Sequence, residues 1–297
     1  MLNKISNIIK KRPTQAVIEV TNHCNLNCPY CMVGKTHKSS NDGSAPHSLM
    51  NRPMGYMDES TFERVFCEIR KFGIRKVYLH FQGEPFLNSS TAKYAKQLKD
   101  VGIFVGIFTN GQAFNDKNIA EIADVEIDLI RFSVDGASEE TYCENRKGGT
   151  FANVAENMQK MVDAHKDKST RIEWQFLPMK NNEHEIDAAR EMAEKIGINF
   201  FTKGYRETEE KRVPKSSELR SKYLKKPCTD IYKQLGIYWN GDVVPCCYDV
   251  DGFEIMGNIN RQNLNEIWNS EKYCEFRKNV KTLKNEPEIC RECLRWK

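Results

Sequence analysis

Three cysteines, Cys24, Cys28 and Cys31, stand at CX3CX2C spacing in Asn22-His23-Cys24-Asn25-Leu26-Asn27-Cys28-Pro29-Tyr30-Cys31, directly after the apolar run Ala16-Val17-Ile18-Glu19-Val20. A four-iron cubane takes one ligand per iron, so three soft thiolates leave one iron open to chelation by a small molecule. The spacing by itself also admits half of a zinc site, with His23 as the local fourth ligand, or part of a disulfide framework. A second group lies toward the other end: Cys228, Cys246 eighteen residues later, and the pair Cys290-Arg291-Glu292-Cys293. Four thiolates close either a cluster or a zinc site, and on spacing alone a zinc ribbon is the better reading. Cys247 is left over beside a candidate ligand, as an alternative ligand, an inert buried thiol or a hydrogen-atom donor. Cys67, Cys143 and Cys274 fall in helical patterns beside Phe66, Tyr142 and Phe276 and read as core or incidental.

The scaffold must bring these groups together. The chain has 297 residues, 39% hydrophobic and 29% charged, enough for one large core, or one core with a small appended module. A formal charge of +4, with lysines scattered among as many acidic residues, leaves no nucleic-acid footprint. Met1 to Arg12 has no continuous apolar core of a signal peptide, and no later run is long enough to cross a bilayer. The expected location is the cytoplasm, where thiols stay reduced and clustered cysteines mean metal.

Ala16 to Val20, Val77 to Phe81, Phe104 to Phe108, Leu129 to Val134, Ile172 to Leu177 and Ile198 to Phe201 read as strands. Helical patterns separate them at Glu59 to Lys71, Ser90 to Val101, Asp116 to Ala123, Phe151 to Ala164 and Glu183 to Ile196, with Gly73, Gly102 and Gly197 as stops. This alternation predicts an α/β fold of parallel units in a partial (β/α)6 TIM-type barrel, whose sites gather at the carboxyl ends of the strands. Strand one runs into the cysteine loop, strand two into Gln82-Gly83-Glu84-Pro85, and strand three into Thr109-Asn110-Gly111; strand four carries Ser133 and ends in Asp135-Gly136. Each turn alone is ordinary loop punctuation, but all of them fall on one rim. Glu84 there can take a cationic amine, and Ser133 and Asn110 can hydrogen-bond a ribose or a carboxylate.

The cysteine triplet, the aromatic Tyr30 before its third member and the Gly83-Glu84-Pro85 turn one strand later resemble the radical S-adenosylmethionine (SAM) superfamily over about residues 14 to 204. The resemblance implies a [4Fe-4S] cluster on Cys24, Cys28 and Cys31, with SAM chelating the open iron. Its reductive cleavage gives methionine and a 5'-deoxyadenosyl radical that takes hydrogen from substrate. It further implies Gln82, Gly83 and Glu84 at the SAM amine, Ser133 and Arg146 at its carboxylate or ribose, and Tyr30 near the adenine. A flavodoxin- or ferredoxin-type electron donor follows from the same likeness. The chain departs from the family where Gln82 replaces a frequent glycine, and the strand-five adenine contact is placed no more closely than Gln175 to Met179.

Tyr205 to Lys226, polar and aperiodic, reads as a linker between a barrel at 1–204 and a small α+β module at 227–297. In that module Leu235 to Trp239, Asn240-Gly241-Asp242 and Val243 to Cys246 form an expected hairpin. Behind such a barrel, Gly241-X4-Cys246-Cys247, Met256-Gly257-Asn258-Ile259, Leu264 to Trp268 and the final CX2C resemble the SPASM or shorter twitch extension. That likeness implies one auxiliary [4Fe-4S] cluster on Cys228, Cys246, Cys290 and Cys293. Epimerases of the superfamily quench the substrate radical with a cysteine, the role implied for Cys247, whereas an aminocyclitol dehydrogenase with near-identical auxiliary spacing oxidises it. Only about fifteen residues precede the first strand. The expected substrate is therefore a small sugar or aminocyclitol, with a peptide-modifying enzyme and a non-catalytic iron–sulfur or zinc protein as alternatives. His23 and His80 flank the rim as donors or as structure. The long stretch from Lys35 to Arg52 is expected to order over substrate or to be a disordered insertion.

Overall fold

The computed structural model describes residues 12–35, 50–205, 210–221, 228–282, 287–291 and 293. Most of the Lys35–Arg52 loop and parts of the expected linker fall outside them. Nine strands form one sheet in the order β6-β5-β4-β3-β2-β1-β7-β8-β9. Strands β1 (Gln15–Ile18), β2 (Lys76–Leu79), β3 (Phe104–Thr109), β4 (Leu129–Ser133), β5 (Arg171–Phe176) and β6 (Asn199–Thr202) are parallel neighbours. Helices α1 (Glu59–Phe72), α2 (Thr91–Asp100), α3 (Asp116–Val125), α4 (Glu139–Asn145), α5 (Phe151–Ala164) and α6 (Ile186–Ile196) occupy the crossovers. This is the expected partial barrel.

Alternation along each strand sorts the side chains. Ile18, Leu79, Ile107, Ile130, Phe132 and Trp174 enter the core beneath the helices. The opposite, concave face carries Tyr78, Phe108, Arg131, Ser133, Gln175 and Phe201, all half-buried. Helix ends follow local chemistry. The Asp58 carboxylate accepts from the Thr61 amide at the start of α1, and Gly73, at φ 84°, ends it in the left-handed region.

Three elements differ from the sequence expectations. Helix α4 was expected only as a helical pattern around Cys143, without bounds; it is short, and Tyr142 is its one large buried apolar residue. The pattern from Glu183 begins as a 3-10 turn, Glu183–Glu185, before α6. Most consequential is the C-terminal hairpin of β7 (Gln234–Ile237) and β8 (Asp242–Val244), followed by β9 (Gly257–Asn258). It extends the barrel sheet, because β7 pairs in parallel with β1, from Gln15↔Gln234 to Ile18↔Ile237. Beyond it lie α7 (Leu264–Trp268), α8 (Glu271–Thr282) and α9 (Glu288–Arg291). None of the helices among the described residues is long and apolar enough to cross a membrane.

Candidate active site and cysteine centres

β1 delivers the chain into the cysteine loop, and residues 53–56 brace the root of that loop. Asn22 Nδ2 donates to Pro53 O at 2.9 Å, Thr21 Oγ1 to Gly55 O at 2.8 Å, and the His23 ring stacks on Tyr56 at 4.6 Å. Leu26 anchors the loop in the core. The Cys31 amide donates to Cys28 O, and Gly34 lies so close that a Cβ there would sit 2.4 Å from the Cys28 carbonyl. Gly34 was not singled out from the sequence, where it looks like any loop glycine.

Each thiol of the triplet meets a different part of the rim. Asn110 Nδ2, after β3, lies 3.6 Å from Cys24 Sγ; Arg146 Nη1, after α4, 4.0 Å from Cys28 Sγ; and Gln82 Oε1, after β2, 4.0 Å from Cys31 Sγ. Tyr30, Gln82, Asn110 and Arg146 are thus gathered around the triplet. Ser133 stays on the concave face opposite Gln175, where its hydroxyl bonds no described residue. Gly83 has φ +80°, and a Cβ there would come within 2.6 Å of His23 O, so the turn after β2 packs directly on the cysteine loop. Glu84 points inward: its carboxylate accepts from Thr109 Oγ1 and the Asn110 amide, both at 2.7 Å, and from the Phe86 amide. Burial pushes its pKa up to about 7 despite these donors.

Asp135 organises the same rim. Fully buried, it accepts from Tyr30 Oη at 2.5 Å, Arg146 Nη2 at 2.7 Å and the Leu177 amide at 2.8 Å. The sequence showed it only as an Asp-Gly turn after β4. A second ion pair was also missed: Arg52 forks onto buried Glu19 at the end of β1, lies 3.9 Å over the Tyr238 ring and donates to Val250 O. The available signal was a carboxylate inside an apolar strand. Burial raises the Glu19 pKa, partly offset by Arg52.

At the other centre, Cys228, Cys246, Cys290 and Cys293 line one cavity with Ile231, Tyr248 and Phe276. A turn sets the last pair, with the Cys293 amide donating to Cys290 O at 3.0 Å. The loop after Cys246 is tied by buried Asp249, which accepts from the Gly252, Phe253 and Glu254 amides. Cys247 is not part of that lining; its Sγ lies 3.6 Å from Gln234 Nε2, with the Lys203 ammonium nearby. The neighbouring Cys246 thiol and Lys203 hold Cys247 below the usual thiol range, against burial. Cys67 and Cys274 are exposed and incidental, and Cys143 is half-buried.

Among the described residues no three His, Cys, Asp or Glu side chains converge on a single ion, so fit is judged for a cluster from the donor sets. Burial, then the charge of Glu84, pushes the Cys24 thiol up to about 12, and burial pushes Cys28 up to about 11 against Arg146. Loading iron therefore releases protons from this loop. A three-thiol loop flanked by the amides of Asn110 and Gln82 and by the Arg146 guanidinium fits an iron–sulfur cluster with one open position, and the four-thiol cavity fits a fully ligated one.

A family model of the radical SAM superfamily matches residues 18–193, and one of the SPASM iron-sulfur cluster-binding domain matches residues 228–294. The chain is 23% identical to a Pyrococcus furiosus tungsten-containing aldehyde ferredoxin oxidoreductase cofactor-modifying protein, covering 88% of this chain and 82% of that protein. It is 21% identical to an S-adenosyl-L-methionine-dependent 2-deoxy-scyllo-inosamine dehydrogenase of Niallia circulans, over 93% of this chain and 90% of the other. Among solved structures, Streptococcus suis SuiB bound to S-adenosylmethionine superposes with a TM-score of 0.72 at 14% identity, covering 93% of this chain and 70% of SuiB. BtrN in complex with AdoMet and 2-DOIA superposes at 0.57 and 17% identity, covering 91% of this chain and 88% of BtrN. This chain belongs to the radical SAM superfamily, carries a C-terminal SPASM iron–sulfur domain, and takes SAM and iron–sulfur clusters as its cofactors.

Proposed function

We propose that the chain removes a hydrogen atom from an unactivated C–H bond of a small polar substrate, a sugar or aminocyclitol, and returns one from Cys247 to give the epimer. In this reading Cys24, Cys28 and Cys31 hold the SAM-binding cluster, and Cys228, Cys246, Cys290 and Cys293 the auxiliary one. The first cluster, fed by a flavodoxin- or ferredoxin-type protein in the cytoplasm, supplies the electron that cleaves SAM to a 5'-deoxyadenosyl radical. The protein positions and shields. Gln82 and Gly83 offer polar backbone and side-chain atoms to the SAM amine beside Cys31. Glu84 supports that turn from within, while Arg146, Asn110 and Ser133 serve the carboxylate and ribose, and Tyr30 packs toward the adenine. Arg131, held between the Phe108 and Phe201 rings at 4.3 and 4.9 Å, walls the concave space and excludes water.

One observation supports inversion in particular. The triplet follows the carboxyl end of β1, whereas the register of β7 and β8 sets Cys246 and Cys247 level with the amino end, near Gln234. A substrate on the concave face between them is approached from two sides. Cys247 Sγ–H gives its hydrogen atom to the substrate carbon, and one electron from the flavodoxin- or ferredoxin-type donor with one proton from water restores the thiol. The second reading is two-electron oxidation through the auxiliary cluster, favoured by similarity to the dehydrogenase over most of both chains.

The test of the class is 5'-deoxyadenosine formed from SAM and a strong reductant; none above a Cys28→Ala control removes it. About eight irons with matching sulfide per reconstituted chain are expected, and stoichiometric zinc at both sites would sink the reading. A Cys247→Ser variant that still inverts substrate in deuterated water with full label uptake excludes the donor role and leaves oxidation to be assayed as a ketone product.

A further inference from the structure

A groove runs outside the barrel between Arg12, α7 and α8. Buried Tyr232, Trp268 and Arg277 form its floor, and its rim carries Cys274, Arg12, Lys278 and Lys281, with no carboxylate among the described residues of the lining. Cys274, Lys278 and Lys281 follow at i, i+4 and i+7, so they form one stripe of α8, while Tyr273, Phe276, Arg277 and Val280 are buried. Lysines on other helices are mostly paired: Lys96 with Asp100, Lys93 with Glu59, and Lys160 with Glu156 and Asp116. Lys278 and Lys281 pair with no described residue. Arg277 is fixed, its guanidinium 4.3 Å over Trp268 and 4.6 Å over Tyr273, with Nη2 donating to Trp268 O.

The groove backs onto the four-thiol cavity. Phe276 lines that cavity and Arg277, the next residue, lines the groove; Ile231 lines the cavity and Tyr232 the groove. One layer of side chains separates the two, and the Tyr232 hydroxyl donates to Arg277 O across it. Arg12, Lys278 and Lys281, with no counter-carboxylate among the described lining residues and one side-chain layer above the four thiols, make a landing place for an acidic protein that carries single electrons.

We infer that this groove docks an acidic one-electron carrier protein and passes charge to the centre held by Cys228, Cys246, Cys290 and Cys293. The inference rests on the proposed ligand role of those four cysteines. In the transfer the carrier loses one electron and the four-thiolate centre gains it; no bond breaks and no proton moves. The positive stripe orients the carrier so that its redox group faces Tyr232 and Phe276.

The experiment uses reconstituted holoenzyme and a purified flavodoxin of net negative charge as the probe. Binding is read by fluorescence anisotropy across a salt series, and anaerobic cluster reduction by bleaching in stopped flow, both without SAM or substrate. The double variant Lys278→Glu/Lys281→Glu is expected to weaken binding by about tenfold or more and to flatten its salt dependence. The control Lys166→Glu/Lys195→Glu, on exposed positions elsewhere, should change binding less than about twofold. Equal affinity in the two double variants overturns the inference. So does a single-stranded oligonucleotide that binds the groove and is displaced only at salt where flavodoxin does not bind. If binding and bleaching behave as expected while no 5'-deoxyadenosine ever forms, the docking surface stands and the catalytic reading falls. If Cys228→Ser holoenzyme binds flavodoxin normally and bleaches unchanged, the groove docks but does not feed this centre, and the transfer step is overturned.

Discussion

Asp135→Asn isolates the group that joins the cysteine loop to the barrel. Asp135 is fully buried, and the Arg146 side chain is 13% exposed, so their 2.7 Å contact is an ion pair in the interior. Among the described residues Arg146 Nε has no hydrogen-bond partner, so Asp135 supplies most of what balances the guanidinium. Removing one member of a buried pair leaves an uncompensated charge and costs about 3–5 kcal/mol. An asparagine also offers one acceptor and one NH2 group to three donors, the Tyr30 hydroxyl, Arg146 Nη2 and the Leu177 amide. Tyr30 can turn its hydroxyl to accept, so this adds little beyond the lost charge.

The assay is anaerobic urea unfolding of iron-loaded protein by far-ultraviolet circular dichroism, with iron content measured in parallel. Asp135→Asn should lower the unfolding free energy by at least about 3 kcal/mol, two decades in the equilibrium constant. Tyr30→Phe keeps the ion pair and removes one hydrogen bond to a charged acceptor, so its cost should be about 1.5–3 kcal/mol. The double variant should cost less than the sum, because Asp135→Asn has already removed the charge that strengthens the Tyr30 bond. A loss below about 1 kcal/mol for Asp135→Asn, or one no larger than that of Tyr30→Phe, would refute the assignment of this rim to a buried ion pair.

Glu84 gives a pH signature. Burial raises its pKa from 4.5 to about 7 in the fold, so its contribution to stability is full below pH 4.5 and is lost as pH rises through about 7. The loss amounts to at most about 3 kcal/mol, and Glu84→Gln should flatten this part of the stability profile; an unchanged profile contradicts the assignment. Gly83→Ala places a Cβ 2.6 Å from His23 O at φ +80° and should cost roughly 2 kcal/mol or more while lowering the iron retained per chain, read by colorimetric iron assay. Arg52→Met strands the Glu19 carboxylate and should cost about 3 kcal/mol in chemical unfolding, much of it recovered by adding Glu19→Gln. Failure of that rescue would locate the cost in the lost stacking on Tyr238 instead.

Much of the barrel was legible because its periods are local. The two-residue alternation of Val77 to Leu79 and the glycine stops at Gly73 and Gly197 are written within a few positions of each other. The triplet was legible for the same reason, since its three thiols share one loop. Strand order beyond the crossovers was not. Nothing in Gln234 to Ile237 names β1 as its partner, because both strands read simply as short buried runs. Asp135 was opaque for a related reason: its donor Tyr30 lies 105 positions away, so only the folded rim shows that the Asp-Gly turn carries an ion pair.

The pairing of β7 with β1 bears most on chemistry. β1 serves both centres: its carboxyl end launches the CX3CX2C loop, and its free edge receives the hairpin that carries Cys246 and Cys247 back toward its amino end. Gln15 to Ile18 spans about 10 Å of strand, so the cysteine loop and the segment of the hairpin bearing Cys246 attach at opposite ends of that span. Arg52 reinforces that offset, because it binds Glu19 at the top of β1, Tyr238 at the hairpin turn and Val250 beyond Cys247 at once. A slip of the hairpin by two residues would keep every side chain on its face and still move Cys247 by about 7 Å. On the proposed reading, the register of β7 on β1 decides whether a hydrogen atom from Cys247 can reach a substrate carbon from the side opposite its abstraction. In that proposal the sheet pairing sets the stereochemical outcome as well as the fold.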